Sequence, residues 1–275
     1  MQEAATFTGE EAARLVAGRA ADRARALGRQ VLVGLNGAQG SGKSTMAATI
    51  ADALAHEHGL SCTILSLDDF YLGRAERAEL AARVHPLCAT RGVPGTHDLA
   101  LLREVLAALA AAAPDTRTPL PRFDKLADDR LPADAWTTVQ GRPDCVLLEG
   151  WCVGIRDADL PPWTGPINAL EAEHDADGAW HAWSRASVAE YEPLWDALDL
   201  LVSIEVPDLA TVIDSRLRQE QGLAEASGRP AMDRAAITRF VEHYERYTRA
   251  LWAAMPHRAD LLLRRDRAYR FTLAG

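Results

Sequence analysis

The sequence predicts an α/β fold in which a mainly parallel sheet carries helices on both faces. Three observations lead there. Short apolar runs without polar alternation recur along the chain, as strands buried on both faces do. Longer stretches with helical spacing separate those runs, the pattern of parallel strands joined by crossover helices. A glycine-rich turn joins the first apolar run to a long helical stretch.

The elements follow in order. An amphipathic helix is expected from near Thr8, after which residues 31–36 (VLVGLN) read as a buried strand and 43–58 as a helix. Residues 62–67 (CTILSL) are strand-like. Residues 98–113 are helical, with Asp98 in the N-cap position. Strands are expected at 145–149 (CVLLE) and 200–206 (LLVSIEV), helices at 208–221 and 234–252, and a last strand at 261–263. Two long stretches, 84–98 and 114–143, hold many of the prolines and read as loops, which at that length are usually functional. Residues 175–187 are polar, carry Trp180 and Trp183, and fit no element. The expected organisation is one domain over 1–275 with a helical lid at 208–234, hinged near Gly222 and Gly228.

Composition narrows the function. A chain of 275 residues, 48% hydrophobic and 25% charged, can bury a core without disulfide or metal staples. Its formal charge of −9 opposes phosphate backbones, so no nucleic-acid partner is expected. No apolar run reaches 18 residues, so no membrane span is expected. The cysteines Cys62, Cys88, Cys145 and Cys152 form no C-x-x-C pair, and Cys62 and Cys145 read as small core residues. Acidic residues at Glu3, Glu10, Glu11 and Asp22, without an apolar signal core, point to the cytoplasm. Lys43 and Lys125 are the only lysines, every other basic residue being arginine, and each lies inside a motif.

The first motif is Gly37-Ala38-Gln39-Gly40-Ser41-Gly42-Lys43-Ser44-Thr45, which fits G-x4-G-K-[ST] between a strand and a helix. Such a P-loop turns backbone N–H groups inward around the phosphates of a nucleotide and adds the positive end of a helix. Lys43 would reach the β- and γ-phosphates, and the Ser44 hydroxyl would bind Mg²⁺. Two acids close strands at the edge where parallel sheets bind ligands. Asp68, after 62–67, suits the acceptor of a hydroxyl proton, and Glu149, ending CVLLE, suits a metal-shell carboxylate. Arg216 and Arg218 sit on the expected lid, where a cation would stabilise charge on a transferring phosphoryl group. The loop from His85 to Asp98 mixes turn residues with Arg91, His97 and Asp98, and a second loop holds Arg122, Phe123, Asp124 and Lys125. Arg91, Arg122 and Lys125 are the cations available to an acceptor carboxylate. His56 and His58, two apart on a helix, point in different directions and are no metal pair.

In order and kind these motifs resemble the P-loop small-molecule kinases that include uridine kinase, phosphoribulokinase and pantothenate kinase, and most of all the plant/yeast-type D-glycerate 3-kinases. The carrying segments are GLNGAQGSGKST, SLDDFYL, RGVPGTHDL, LPRFDK, VLLEGW, YEPLW and RLRQE, which span residues 34–220. The resemblance implies the P-loop NTPase fold with a small helical lid, ATP and Mg²⁺ as cofactors, and a small-molecule hydroxyl acceptor. It implies Asp68 rather than Asp69 as catalytic base, Asp98, Phe123 and Asp124 beside the acceptor, and Arg216 as lid arginine. Phe123 stands where that family would lead one to expect tyrosine. The expected reaction is D-glycerate to 3-phosphoglycerate. The alternatives are a nucleoside, pantothenate-like or sugar acceptor, or a regulatory NTPase acting through a protein partner. Against the last, no N-K-x-D guanine motif exists, because neither lysine follows an asparagine.

Overall fold

The structure, a computed structural model, describes residues 5–228 and 230–274. A short strand β1 (Thr6–Phe7) leads into α1 (Gly9–Leu27). Thr8 and Glu11 cap that helix reciprocally, each side chain accepting the other's backbone N–H. Then come β2 (Val31–Gly37), α2 (Lys43–His58), β3 (Cys62–Ser66), α3 (Arg74–Arg83) and α4 (Leu99–Ala111). Four short strands follow: β4 (Arg117–Leu120), β5 (Phe123–Asp124), β6 (Asp129–Arg130) and β7 (Thr137–Gln140). After β8 (Cys145–Gly150) lie three short helices, α5 (Ala169–His174), α6 (Ala179–Val188) and α7 (Glu192–Asp196). The chain ends with β9 (Leu200–Glu205), α8 (Leu209–Ser227), α9 (Arg234–Glu242), α10 (Glu245–Ala254), β10 (Leu261–Arg265) and β11 (Phe271–Ala274).

Seven strands form one sheet in the order β1-β11-β10-β9-β2-β8-β3. The five from β10 to β3 are parallel, and β11 and β1 extend the edge antiparallel. The expected α/β architecture is therefore present, with β2 central and the turn after it opening at the middle of the sheet's carboxyl edge. Both faces are covered, which is why the strands lack polar alternation. Val31, Val33 and Leu35 pack with α1 and α2, together with Leu147, Val202 and Ile204. Val146, Leu148 and Leu65 face the other way, into a core with Leu102 and Leu109 of α4 and Leu251 of α10. Each such buried aliphatic chain contributes roughly 1.5–3 kcal/mol. α1 presents a stripe of buried alanines, Ala13, Ala17, Ala20 and Ala21, whose small side chains let it lie close.

Several expectations need correction. The stretch 114–143 is not a plain loop. It holds two antiparallel pairs, β4 with β7 and β5 with β6. Thr118 and Leu120 are buried while Arg117 and Pro119 are exposed, a period of two that the prolines disguise. Residues 175–187 hold most of α6, whose first turn is tied down by Asp175 accepting the N–H groups of Trp180 and His181. The expected single helix over 234–252 breaks between Glu242 and Glu245, which turns Tyr244 toward Gly92 and Trp151. Gly222 lies inside α8, whereas Gly228 ends that helix in the left-handed region at φ +67°. No helix among the described residues is long and apolar enough to cross a membrane.

Candidate active site

The glycine-rich turn closes over the end of β2. Gly40 has φ +72°, and a Cβ there would lie 2.6 Å from the Ser215 Cβ on α8, so only glycine fits. Gly42 has φ +92° and stands at the N-cap of α2, which has no side-chain cap. The first-turn N–H groups of α2 are thus left for an anion, as a phosphate-binding helix start requires. Gln39, Gly40, Lys43 and Ser44 line one side of a cleft there.

Glu149, near the end of β8, is paired in register with Leu35 and Ser66. Its Oε1 accepts hydrogen bonds from Ser44 Oγ (3.0 Å) and Ser66 Oγ (2.9 Å). Its Oε2 is buried with no partner among the described residues. A buried carboxylate oxygen left open beside a hydroxyl is a donor set that suits a hard divalent cation. The described residues hold no group of three or more His, Cys, Asp or Glu side chains able to bind a metal. Mg²⁺ in kinase sites is held by one or two protein ligands and completed by phosphates and water, and Ser44 and Glu149 are the protein groups placed to supply them.

Asp68 sits in a short 3₁₀ turn directly after β3 and faces the cleft. Its Oδ1 accepts from Tyr71 Oη (3.0 Å) and its Oδ2 from Lys125 Nζ (2.6 Å). Burial alone would raise its pKa, but Lys125, Lys43 and these hydrogen bonds outweigh that and hold the carboxyl far below the usual range. These donors favour its anionic form. Its neighbour Asp69 does a different job. Asp69 accepts the Phe123 N–H and a bond from Arg122 Nη1, each at 3.0 Å, and so fastens β5 to the turn. Burial raises its pKa in spite of those donors.

The acceptor-side expectations divide. Arg91 and Lys125 line the cleft. Arg91 is ion-paired to Asp128, which also pairs with buried Arg77 at 3.0 Å, and its guanidinium lies 5.3 Å from the Phe123 ring centre. His97, Asp98, Arg122, Phe123 and Asp124 do not line it. Asp98 caps α4 by accepting the Leu101 N–H (3.0 Å) and pairs with Arg130 (3.2 Å). His97 is buried, stacked on Tyr71 at 4.5 Å, with Nδ1 2.8 Å from Tyr191 Oη, and burial lowers its pKa to about 4. Phe123 packs edge-on against Tyr71. Asp124 accepts the N–H groups of Leu126 and Ala127 and shapes the loop that carries Lys125. Arg216, on α8, reaches the cleft, pairs with Glu220 one turn on, and lies 5.3 Å from the Phe240 ring centre. Arg218 is directed to Tyr269 instead, 5.4 Å from its ring centre.

Four aromatic side chains complete the cleft: Tyr71, Trp151, Phe240 and Tyr244. The first two stand within SLDDFYL and VLLEGW, so proximity to those motifs was the available signal. Tyr244 carried no signal. Its Oη donates to the Arg91 carbonyl (2.9 Å), and Trp151 Nε1 donates to the Gly92 carbonyl (3.1 Å). A Cβ at Gly92, φ +140°, would collide with the Tyr244 ring at 2.3 Å. Together they anchor the loop bearing Arg91.

No family model matches the chain. Over 224 residues it is 33% identical to an uncharacterized kinase of Schizosaccharomyces pombe, mug58, a match covering 79% of each chain. Over 241 residues it is 27% identical to the chloroplastic D-glycerate 3-kinase of Arabidopsis thaliana, covering 84% of this chain and half of that one. Among solved structures, a D-glycerate 3-kinase from Cryptococcus neoformans superposes with a TM-score of 0.72 at 25% identity, over 96% of this chain and 97% of that one.

Proposed function

This chain belongs to the P-loop small-molecule kinases, the group that includes D-glycerate 3-kinase, and from that premise we propose that it phosphorylates a small hydroxy acid, D-glycerate above all, to give 3-phosphoglycerate with ATP as donor. The observation that carries the choice is that two cations, Lys125 and Arg91, line the cleft together with Asp68, Lys125 resting directly on that acid. An acceptor carboxylate brings a further counter-charge to these two cations, which the protein itself pairs with Asp68 and Asp128, whereas a neutral polyol brings none. The similarity to D-glycerate 3-kinases supports the same reading.

The residues divide the work. The N–H groups of residues 37–45 and Lys43 hold the β- and γ-phosphates. Ser44 and Glu149 would hold Mg²⁺, which when bound neutralises charge on those phosphate oxygens. The acceptor hydroxyl lies against Asp68. Its oxygen bonds to the γ-phosphorus while the bond to the bridging oxygen breaks, that electron pair leaving on ADP. The hydroxyl proton passes to Asp68. A loose phosphoryl transfer needs an oriented hydroxyl more than a strongly activated one, and orientation is what the Asp68 carboxylate supplies. Arg216 supplies positive charge from α8 to the transferring group.

The test is ADP release from Mg-ATP with and without D-glycerate. Strong dependence on D-glycerate supports the proposal. Turnover that ignores D-glycerate but rises with a nucleoside or sugar overturns it in favour of another acceptor, and hydrolysis that no small acceptor stimulates favours a regulatory NTPase.

A further inference from the structure

Asp68 is already occupied without any acceptor. Tyr71 Oη holds one carboxylate oxygen and Lys125 Nζ the other, the latter at 2.6 Å. The two contacts differ in kind. Tyr71 is buried and wedged between His97 and Phe123, so it cannot leave. Lys125 is more than half exposed, on a loop shaped by Asp124. Its stem is unbranched and mobile, and its head is a single point charge. The other acceptor-side cation, Arg91, is committed to Asp128. In a chain with 30 Lys and Arg residues, only Lys43 and Lys125 are lysine, and one of them is the side chain resting on the acid that must receive the hydroxyl proton.

We propose that Lys125 is an acceptor-sensing cap: it blocks Asp68 while the site holds ATP and water, and an anionic group on the acceptor draws it away. This rests on the hydroxy-acid reading above and deepens it. The acceptor's carboxylate would take the Nζ that Asp68 gives up, so hydroxyl alignment and cap removal become one event. With the cap in place, water is a poor substitute. In hydrolysis the water oxygen would bond to the γ-phosphorus, the bridging P–O bond would break with its electron pair on ADP, and the water proton would need the Asp68 oxygen that Lys125 covers. The device spares ATP when no acid is bound, and it discriminates against neutral alcohols that carry the same hydroxyls.

The experiment compares the full-length protein with Lys125→Met and Lys125→Arg, each given Mg-ATP with no acceptor, with D-glycerate, and with glycerol, which keeps the hydroxyls and lacks the carboxylate. In Lys125→Met, acceptor-free ADP release should rise about tenfold, and the preference for D-glycerate over glycerol should fall by about a hundredfold, a share of what a positioned general base contributes. Lys125→Arg keeps a cation over Asp68 and should keep acceptor-free release low. ATP affinity and the thermal midpoint, measured on all three, establish that the fold is intact, as substitution at an exposed side chain should leave it. Acceptor-free release in Lys125→Met at or below the wild-type rate, with ATP bound normally, overturns the cap. If wild type ignores D-glycerate, the hydroxy-acid reading fails, and the acceptor-free arm still decides the cap by itself.

Discussion

The two sides of the cleft are built differently. The phosphate side hangs on the ends of central strands: the 37–45 turn on β2 and Glu149 on β8, joined by the Ser44–Glu149 and Ser66–Glu149 hydrogen bonds. The side proposed for the acceptor hangs on pieces far apart in sequence: the loop with Arg91, the β5–β6 turn with Lys125, and Tyr244 from the break between α9 and α10. A sheet edge fixes geometry through its own ladder, and loops need side chains to do so. The phosphate side is thus set by backbone, and the acceptor side by Tyr244, Trp151, Asp128 and Asp69 acting as ties.

Asp68 stands where the two sides meet, so its loss should be the largest effect. Asp68→Asn keeps the shape and removes the charge, and turnover should fall by about 10²–10⁴-fold while ATP affinity holds. Normal turnover in that variant would remove Asp68 from the reaction. The next effect belongs to the wall behind it. Buried His97 is neutral, its pKa lowered from 6.5 to about 4 by loss of hydration, so the unfolded chain binds a proton that the folded chain refuses. Stability should therefore fall as pH drops from about 6.5 toward about 4, with His97 contributing about 2–3 kcal/mol of that loss. Urea unfolding of wild type and His97→Gln at pH 7.5 and pH 4.5 tests it. The variant should lose less stability on acidification, and parallel losses would show that His97 is not the source.

The same comparison explains what could be foreseen. The phosphate turn, Asp68 and Glu149 were legible because each is a local signal: a short motif, or an acid closing an apolar run. Asp98 was legible as a helix cap for the same reason. Tyr244 was not, because its partner Arg91 is 153 residues away and nothing near residue 244 encodes the meeting. The β4–β7 pairing was hidden by prolines whose exposed positions leave Thr118 and Leu120 to carry the alternation. α6 was hidden because its buried face includes polar His181 and Ser184 beside Trp180. Local chemistry is written in adjacent residues, whereas the walls that orient it are written in pairs.

On the phosphate side, Glu149→Gln keeps a carbonyl oxygen and loses the charge a divalent ion needs. The Mg²⁺ concentration for half-maximal activity should rise about 10–100-fold, with the acceptor KM nearly unchanged. A change in acceptor KM of the same size would mean that the two sides are not separable and would break the comparison.

The smallest expected effect sharpens it most. Tyr244→Phe removes one hydroxyl and leaves the ring that packs on Trp151 and fills the space over Gly92. The lost bond is to the carbonyl of Arg91, whose side chain lines the cleft, so the change acts through the loop. A single neutral hydrogen bond is worth about 0.5–1.5 kcal/mol, which is a 2–12-fold change, about, in an equilibrium constant. If the loop is positioned by that tie, the cost should appear in acceptor KM, with ATP affinity and the Mg²⁺ requirement unmoved. A fall in kcat with KM unchanged would mean that Tyr244 stabilises the reacting groups instead. A loss confined to thermal stability would mean that the ring alone fixes the loop and that the hydroxyl only satisfies a buried carbonyl.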